Sequence, residues 1–159
     1  MTRAGTAGGT IVCDATEPLA GRSAAELADA LGARLGLRLV LVYVVADVPS
    51  VARESVAARQ GRKGAERTLE GIARELGHDP ETRVVVGEHA AALARVADEE
   101  GADLVVVGGR PVGLGGRSLR WSLARELEAA TPVPVLVAPP ATRKRSDRRL
   151  TVATGADTP

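Results

Sequence analysis

The chain has 159 residues, of which 45% are hydrophobic and 26% charged, and its formal net charge is +1. A chain of this length buries about two-thirds of its unfolded surface around one core, which favours a single globular domain over a disordered protein. No apolar stretch approaches the roughly 18 residues of a membrane helix, and the single cysteine excludes an internal disulfide and a cysteine-built zinc site.

The two ends of the chain differ in composition from its centre. Residues 1–8 lack the apolar run of a secretory signal, so we expect a disordered N-terminal segment and a cytoplasmic protein. Residues 140–159 contain five basic and two acidic residues without apolar periodicity, which predicts a disordered basic tail. The body over 9–139 is slightly acidic and the chain has only one Tyr, one Trp and no Phe, so nucleic-acid binding is not expected.

Short runs rich in Val and Leu alternate with helical patterns along the body. Such alternation is typical of βαβ units and predicts an α/β fold, with an open five-stranded parallel sheet covered by helices on both faces. The predicted strands are 10–14, 37–45, 83–87, 103–108 and 133–138.

Four helices are predicted between these strands. The first should begin near Ser23, because Ser23 and Glu26 have the spacing of a capping box. The second, within 50–77, should break near the glycines at 61–64. The third spans about 89–100, and the fourth runs from 118 or 122 to 130. The residues expected to face the sheet are Leu27, Leu31 and Leu35 in the first helix, Ala65, Leu69, Ile72, Ala73 and Leu76 in the second, Ala90, Leu93, Val96 and Ala97 in the third, and Leu119, Leu123 and Leu127 in the fourth.

Two segments with residues suited to ligand binding lie at the carboxyl ends of predicted strands, where open parallel sheets bind ligands. Asp14 ends the first strand, and its carboxylate suits a ribose hydroxyl or a metal-bound water, or equally a loop amide. The loop 108–118 after the fourth strand contains five glycines, whose bare amides suit a phosphate at a helix amino end. A plain flexible loop accounts for the same composition.

The run 101–108, the glycine-rich loop and the run 131–137 resemble the second half of the universal stress protein family, and the resemblance covers residues 8–139. It implies the open Rossmann-like fold of the adenine nucleotide alpha hydrolases. It also implies a dimer, often formed through the last strands. The family contains ATP-binding and non-binding groups, and the binders carry the motif Gly-x2-Gly-x9-Gly-Ser/Thr after the fourth strand.

In this chain the four motif positions hold Gly108, Pro111, Trp121 and Ser122. Proline removes an amide donor and fixes the backbone, and the indole of Trp121 takes the place of a hydrogen where the binders close on phosphate. The departures imply a degenerate nucleotide site, no cofactor and no catalytic activity. Trp121 itself is interpreted either as a plug or stacking surface over the cleft, or as a loop cover or dimer contact.

An ATP-binding, slowly hydrolysing switch remains the alternative interpretation. In this alternative the phosphates bind a displaced nest formed by the glycines at 113, 115 and 116. The candidate nucleotide-binding residues are Asp14, Gly108, Arg110, Gly113, Gly115, Gly116, Arg117 and Ser122.

Residues that catalyse reactions elsewhere have simpler interpretations in this sequence. His78 lies in a turn and is expected in solvent, His89 is favoured as a helix cap or an exposed residue over a catalytic one, and Cys13 as a small buried hydrophobe. No nucleophile elbow or paired metal ligands are present, so we expect neither hydrolase nor metal chemistry.

The fifth strand predicts how the chain associates. An apolar edge strand is an aggregation hazard unless it is paired, so we expect a homodimer through this strand and, in addition, an unidentified protein partner. The candidate interface residues are Val133, Val135, Leu136 and Val137, and Pro134 should lie near the strand's start because it cannot donate to the ladder.

Overall fold

The computed structural model describes residues 8–47, 56–109 and 119–140, without the side chains of 56–58 and 119–122. The proposed disordered segments 1–8 and 140–159 lie outside these ranges, apart from residues 8 and 140. The elements are β1 (Thr10–Asp14), α1 (Pro18–Leu35), β2 (Arg38–Val45), α2 (Val56–Glu75), β3 (Glu81–Val86), α3 (His89–Glu99), β4 (Leu104–Gly108), α4 (Leu119–Ala130) and β5 (Val135–Ala138). The predicted alternation of five strands and four helices is confirmed. In the described part of the chain, no helix has the length and apolarity needed to cross a membrane.

The five strands form one parallel sheet in the order β3-β2-β1-β4-β5. The chain builds the sheet outward from β1 to β3 in one direction, and then returns to place β4 on the other side of β1. The strand order therefore reverses between β1 and β4, which is where ligands bind in sheets of this kind.

Helices cover both faces of the sheet, as predicted. Alternate residues of β1 point to opposite faces, so Val12 packs with α3 and α4 while Ile11 and Cys13 pack with α1 and α2. Both faces of the central strands are consequently buried, which explains why these strands are continuous apolar runs instead of alternating patterns.

Helix α1 begins five residues before the predicted Ser23, at Pro18, and the capping-box prediction is wrong. Glu17 occupies the N-cap position and Pro18 the first turn, where a missing amide donor costs nothing. The hydroxyl of Ser23 instead donates to the carbonyl of Pro139, over 2.8 Å, and so ties the middle of α1 to the residue after β5.

The face that α1 turns to the sheet is also different from the predicted leucine stripe. Its buried residues are all small: Gly21, Ala24, Ala25, Ala28 and Gly32. Leu27 and Leu31 are only partly buried, and Leu35 is 63% exposed. The helix lies too close to the sheet for leucine, because a Cβ on Gly21 would be 2.7 Å from the Cα of Ala15.

The remaining helices largely match the prediction. Helix α2 is continuous through Gly61 and Gly64, so the predicted break is absent from its described length, 56–75. Two exposed glycines cost about 2 kcal/mol of helix propensity, which burial of Leu69 and Ile72 is sufficient to offset. The stripe of α2 is confirmed at Ala65, Leu69 and Ile72, that of α3 at all four predicted residues, and that of α4 at Leu127 with Leu123 partly buried. The side chain of Leu119 lies outside the described residues.

Candidate functional site

The crevice between the carboxyl ends of β1 and β4 contains two of the predicted site residues. Asp14 is the last residue of β1, and Gly108 is the last residue of β4. These strands are parallel neighbours, with Cys13 opposite Val106, so their carboxyl ends lie side by side at one end of the sheet. Both residues therefore lie where the topology predicts a site, and their binding of a ligand stays a prediction.

The Asp14 side chain is bound on one side by its own loop. Asp14 is 6% exposed. Its Oδ1 accepts hydrogen bonds from the backbone N–H of Thr16 at 3.0 Å and from the Thr16 hydroxyl at 2.6 Å. The same hydroxyl oxygen accepts the N–H of Val44 at 3.0 Å, which attaches the loop to β2. One oxygen of the carboxylate therefore organises the β1–α1 connection, as the loop-amide interpretation of Asp14 anticipated.

The other oxygen of Asp14 contacts a histidine. Nε2 of His89 lies 2.9 Å from Oδ2 of Asp14, and the imidazole is 34% exposed. A carboxylate oxygen accepts, so Nε2 donates in this pair. The hydrogen bond to Asp14 raises the pKa of His89, and the negative charges of Asp14, Glu88 and Glu17 act in the same direction against the effect of burial.

The start of α3 holds His89 in this position. Glu88 is the N-cap, and its carboxylate accepts from the backbone N–H groups of Ala90 and Ala91, which lowers the pKa of Glu88. His89 is the first helical residue and is not the cap, so of the two preferred interpretations only its partial exposure is seen. The sequence interpretation missed the pairing with Asp14, although Asp14 ends β1 and His89 follows β3, so both lie at the carboxyl ends of the strands.

Gly108 has a packing role in this crevice. A Cβ at this position would lie 2.1 Å from the carbonyl oxygen of Ala20 and 2.4 Å from its carbonyl carbon. The first turn of α1 therefore rests directly on the end of β4, and only glycine admits so close an approach. The identity of this residue is explained without a phosphate.

The other candidate nucleotide-binding residues fall where the structure gives no side chains. Arg110, Gly113, Gly115, Gly116 and Arg117 lie outside the described residues, as does the motif departure Pro111. Trp121 and Ser122 belong to the first turn of α4, but their side chains are not described. The displaced phosphate nest and the degenerate motif thus stay predictions from the sequence. Within 8–47, 56–109 and 119–140, no three His, Cys, Asp or Glu side chains are grouped to hold a metal ion.

Cys13 and His78 match their simpler interpretations. Cys13 is fully buried beside Asp14, and burial, with the charge of Asp14, raises the pKa of its thiol well above the usual value. Such a thiol is a poor nucleophile at neutral pH. His78 is 63% exposed, and its Nδ1 lies 3.0 Å from Oδ1 of Asp29.

The fifth strand lies at one edge of the sheet, next to β4. It begins at Val135, two residues after the predicted start, and the carbonyl of Pro134 accepts the N–H of Val105 at 2.9 Å. Leu136 is 36% exposed and Val137 is 37% exposed, whereas Val133 and Val135 pack partly against the core. The apolar edge expected from the sequence is therefore carried mainly by Leu136 and Val137.

Comparison with known proteins agrees with this architecture. The model of the universal stress protein family matches residues 11–139. A universal stress protein solved in complex with cAMP is 25% identical, with a TM-score of 0.65, and the match covers 86% of this chain and 100% of that one. A member from Burkholderia pseudomallei is 28% identical, with a TM-score of 0.65 and coverages of 86% and 99%.

A third structure, the universal stress protein from Archaeoglobus fulgidus in complex with dAMP, is 19% identical, with a TM-score of 0.60 and coverages of 82% and 97%, and shows the fold alone. No curated protein matches the chain significantly. The matched residues run from the second residue of β1, through all four helices, to the residue after β5. The chain belongs to the universal stress protein family.

Proposed function

We propose that this chain is a non-catalytic regulatory protein of the stress response, which acts in the cytoplasm as a homodimer and by contact with a protein partner. We further propose that its crevice is a degenerate nucleotide site. One observation supports the degenerate nucleotide site: both oxygens of the Asp14 carboxylate already accept hydrogen bonds from the chain, one from Thr16 and the other from His89.

Oδ2 of Asp14 can accept a second hydrogen bond, but the Asp14 side chain is only 7% exposed beside the His89 ring, so a ribose reaches it only when the ring moves aside. Displacement of the ring gives up a hydrogen bond to a charged group worth about 2 kcal/mol. The sequence adds two further obstacles at the phosphate end, Pro111 and Trp121. These features together support a resting crevice that does not hold ATP.

A titration with MgATP tests this proposal. We expect millimolar MgATP at neutral pH to give no saturable heat in calorimetry and no change in the fluorescence of the single tryptophan. The universal stress protein known in complex with cAMP, titrated with cAMP in the same buffer, is the positive control. Saturable heat, or a stoichiometric nucleotide retained through purification, would contradict a degenerate site.

A nucleotide-binding switch with slow hydrolysis is the second candidate function. The observation that favours it is the cAMP complex of the protein that is 25% identical to this chain. In this candidate Asp14 binds the ribose, Gly108 and Ser122 contribute to the phosphate end, and the displaced nest with Arg110 and Arg117 binds the phosphates. If MgATP does bind, the Arg110→Ala and Arg117→Ala variants should each weaken it, whereas a binding mode through another surface leaves the affinity unchanged.

The proposed homodimer makes a separate prediction at β5. We expect the wild-type protein to have a dimeric mass in light scattering at tens of micromolar. Leu136→Lys should weaken the dimer roughly tenfold or more, because it places a charge in an apolar edge-to-edge contact. Leu35→Lys is the matched control, since Leu35 is 63% exposed at the end of α1 and away from β5. A monomeric wild type, or equal effects of both substitutions, would count against this interface.

A further inference from the structure

We infer that His89 is the residue that excludes hydroxyl-bearing ligands from the crevice, because its imidazole contacts and covers the Asp14 oxygen to which a ligand hydroxyl would donate. The inference rests on the proposed degenerate site and names the side chain that closes its ribose end. The ligand class concerned is a vicinal diol of the kind that a nucleoside ribose carries.

The two oxygens of Asp14 differ in how they are held. Oδ1 accepts from both the N–H and the hydroxyl of Thr16, and Thr16 is itself fixed by the N–H of Val44. These three contacts belong to the β1–α1 loop and its attachment to β2. In the described part of the chain, Oδ2 contacts only the ring of His89. Oδ2 can accept a further hydrogen bond, but the Asp14 side chain is 7% exposed, so a ligand hydroxyl reaches Oδ2 only when the ring moves aside.

His89 is suited to be replaced without damage to the fold. The imidazole is 34% exposed, whereas the Asp14 side chain behind it is 7% exposed. The start of α3 does not depend on the ring, because Glu88 caps the N–H groups of Ala90 and Ala91. The apolar face of α3, with Leu93, Val96 and Ala97 fully buried, holds the helix on the sheet. Rotation or removal of the ring thus exposes Oδ2 on an otherwise fixed carboxylate.

Removal of the ring should convert the closed crevice into a nucleoside site. We expect His89→Ala to bind adenosine about tenfold or more tightly than the wild type, since a hydrogen bond to a charged group becomes available to the ligand. Adenosine is the chosen probe because it lacks phosphates, so phosphate binding does not contribute to the result. The measurement is calorimetry, with far-ultraviolet circular dichroism and thermal melting to check the fold.

Three further samples make the test specific. The double variant His89→Ala/Asp14→Asn should lose the gained affinity, and 2′,3′-dideoxyadenosine should not bind His89→Ala, because each removes one side of the hydroxyl–carboxylate contact. His78→Ala is the matched control, since it also removes an imidazole that contacts an aspartate, but an exposed one outside the crevice. It should bind adenosine no better than the wild type.

Other results would overturn the inference. These are a folded His89→Ala with the adenosine affinity of the wild type, or a double variant that binds as well as His89→Ala. His89→Ser is a second opening variant, whose small side chain suits the first turn of a helix, and failure of both variants to fold would contradict a replaceable ring. Binding of MgATP by the wild type overturns the proposed degenerate site instead. The inference about His89 is then still decided by the adenosine affinities of the wild type and His89→Ala.

Discussion

Gly108→Ala is expected to lower the free energy of unfolding by about 3 kcal/mol, because a side chain at this position has no room. The added Cβ would lie 2.1 Å from the carbonyl oxygen of Ala20 and 2.4 Å from its carbonyl carbon, and both atoms are backbone. Helix α1 is also packed closely at Gly21, where an added Cβ would lie 2.7 Å from the Cα of Ala15, the residue after β1. Urea denaturation followed by circular dichroism measures the loss.

The matched control is Gly64→Ala in the exposed part of α2. Apart from its chain neighbours and the backbone of its own helix, no atom lies within 4 Å of a Cβ built on Gly64, so the substitution adds helix propensity without a clash. We expect Gly64→Ala to raise the free energy of unfolding by up to about 1 kcal/mol. If Gly108→Ala were as stable as the wild type, the first turn of α1 would not rest on the end of β4.

The role of Gly108 shows where sequence reasoning about the site reaches its limit. A glycine at the end of β4 suits a phosphate-binding backbone and a close helix contact equally well, and only the position of Ala20 distinguishes them. Asp14 could be placed at the crevice from the sequence, because a parallel sheet brings the carboxyl ends of its strands to one edge. Its contact with His89 joins residues 75 positions apart and depends on how α3 starts.

The errors in α1 have a related cause. Ser23 and Glu26 imitate a capping box inside a helix whose true start is marked by Pro18, a residue favoured in the first turn. The leucines of α1 repeat at helical spacing, yet close approach to the sheet selects alanine and glycine for the buried face. Local patterns locate the helix, whereas the distance between layers decides which of its faces is buried.

Strands were predicted more accurately than helix ends for a physical reason. Both faces of β1, β2 and β4 are covered, so these strands are uninterrupted apolar runs. A helix with one face in solvent has polar residues at regular intervals, so the two patterns are easy to distinguish. The shift of β5 from 133 to Val135 follows from Pro134, whose carbonyl joins the ladder while its nitrogen cannot.

Glu100→Gln is expected to lower the free energy of unfolding by about 2 kcal/mol, because it removes the shared anion of an ion-pair network. The Glu100 side chain is 12% exposed, and its two oxygens contact Arg38 at 2.6 Å and Arg83 at 2.9 Å. These contacts tie the end of α3 to β2 and β3. The arginines are 39% and 28% exposed, so the expected loss is smaller than for a fully buried pair.

The matched control for this substitution is Glu70→Gln. Glu70 pairs with Arg74 across one helical turn at 3.6 Å, with side chains 62% and 79% exposed. An exposed pair of this kind contributes about 0.5 kcal/mol or less. Equal losses for the two glutamates would show that the Glu100 network stabilises the fold no more than an ordinary surface pair.

The acid dependence of the Glu100 effect provides a second measurement. The hydrogen bond from Arg38, followed by that from Arg83, lowers the pKa of Glu100 below its ordinary value. A carboxyl whose pKa is lower in the folded state stabilises fully above its unfolded pKa, about 4.3, and loses this contribution as the pH falls through the folded pKa. The difference between the wild type and Glu100→Gln, measured by urea denaturation at several pH values, should therefore be constant near neutrality and shrink in acid. A difference that stayed constant through that range would show that the charge of Glu100 does not produce it.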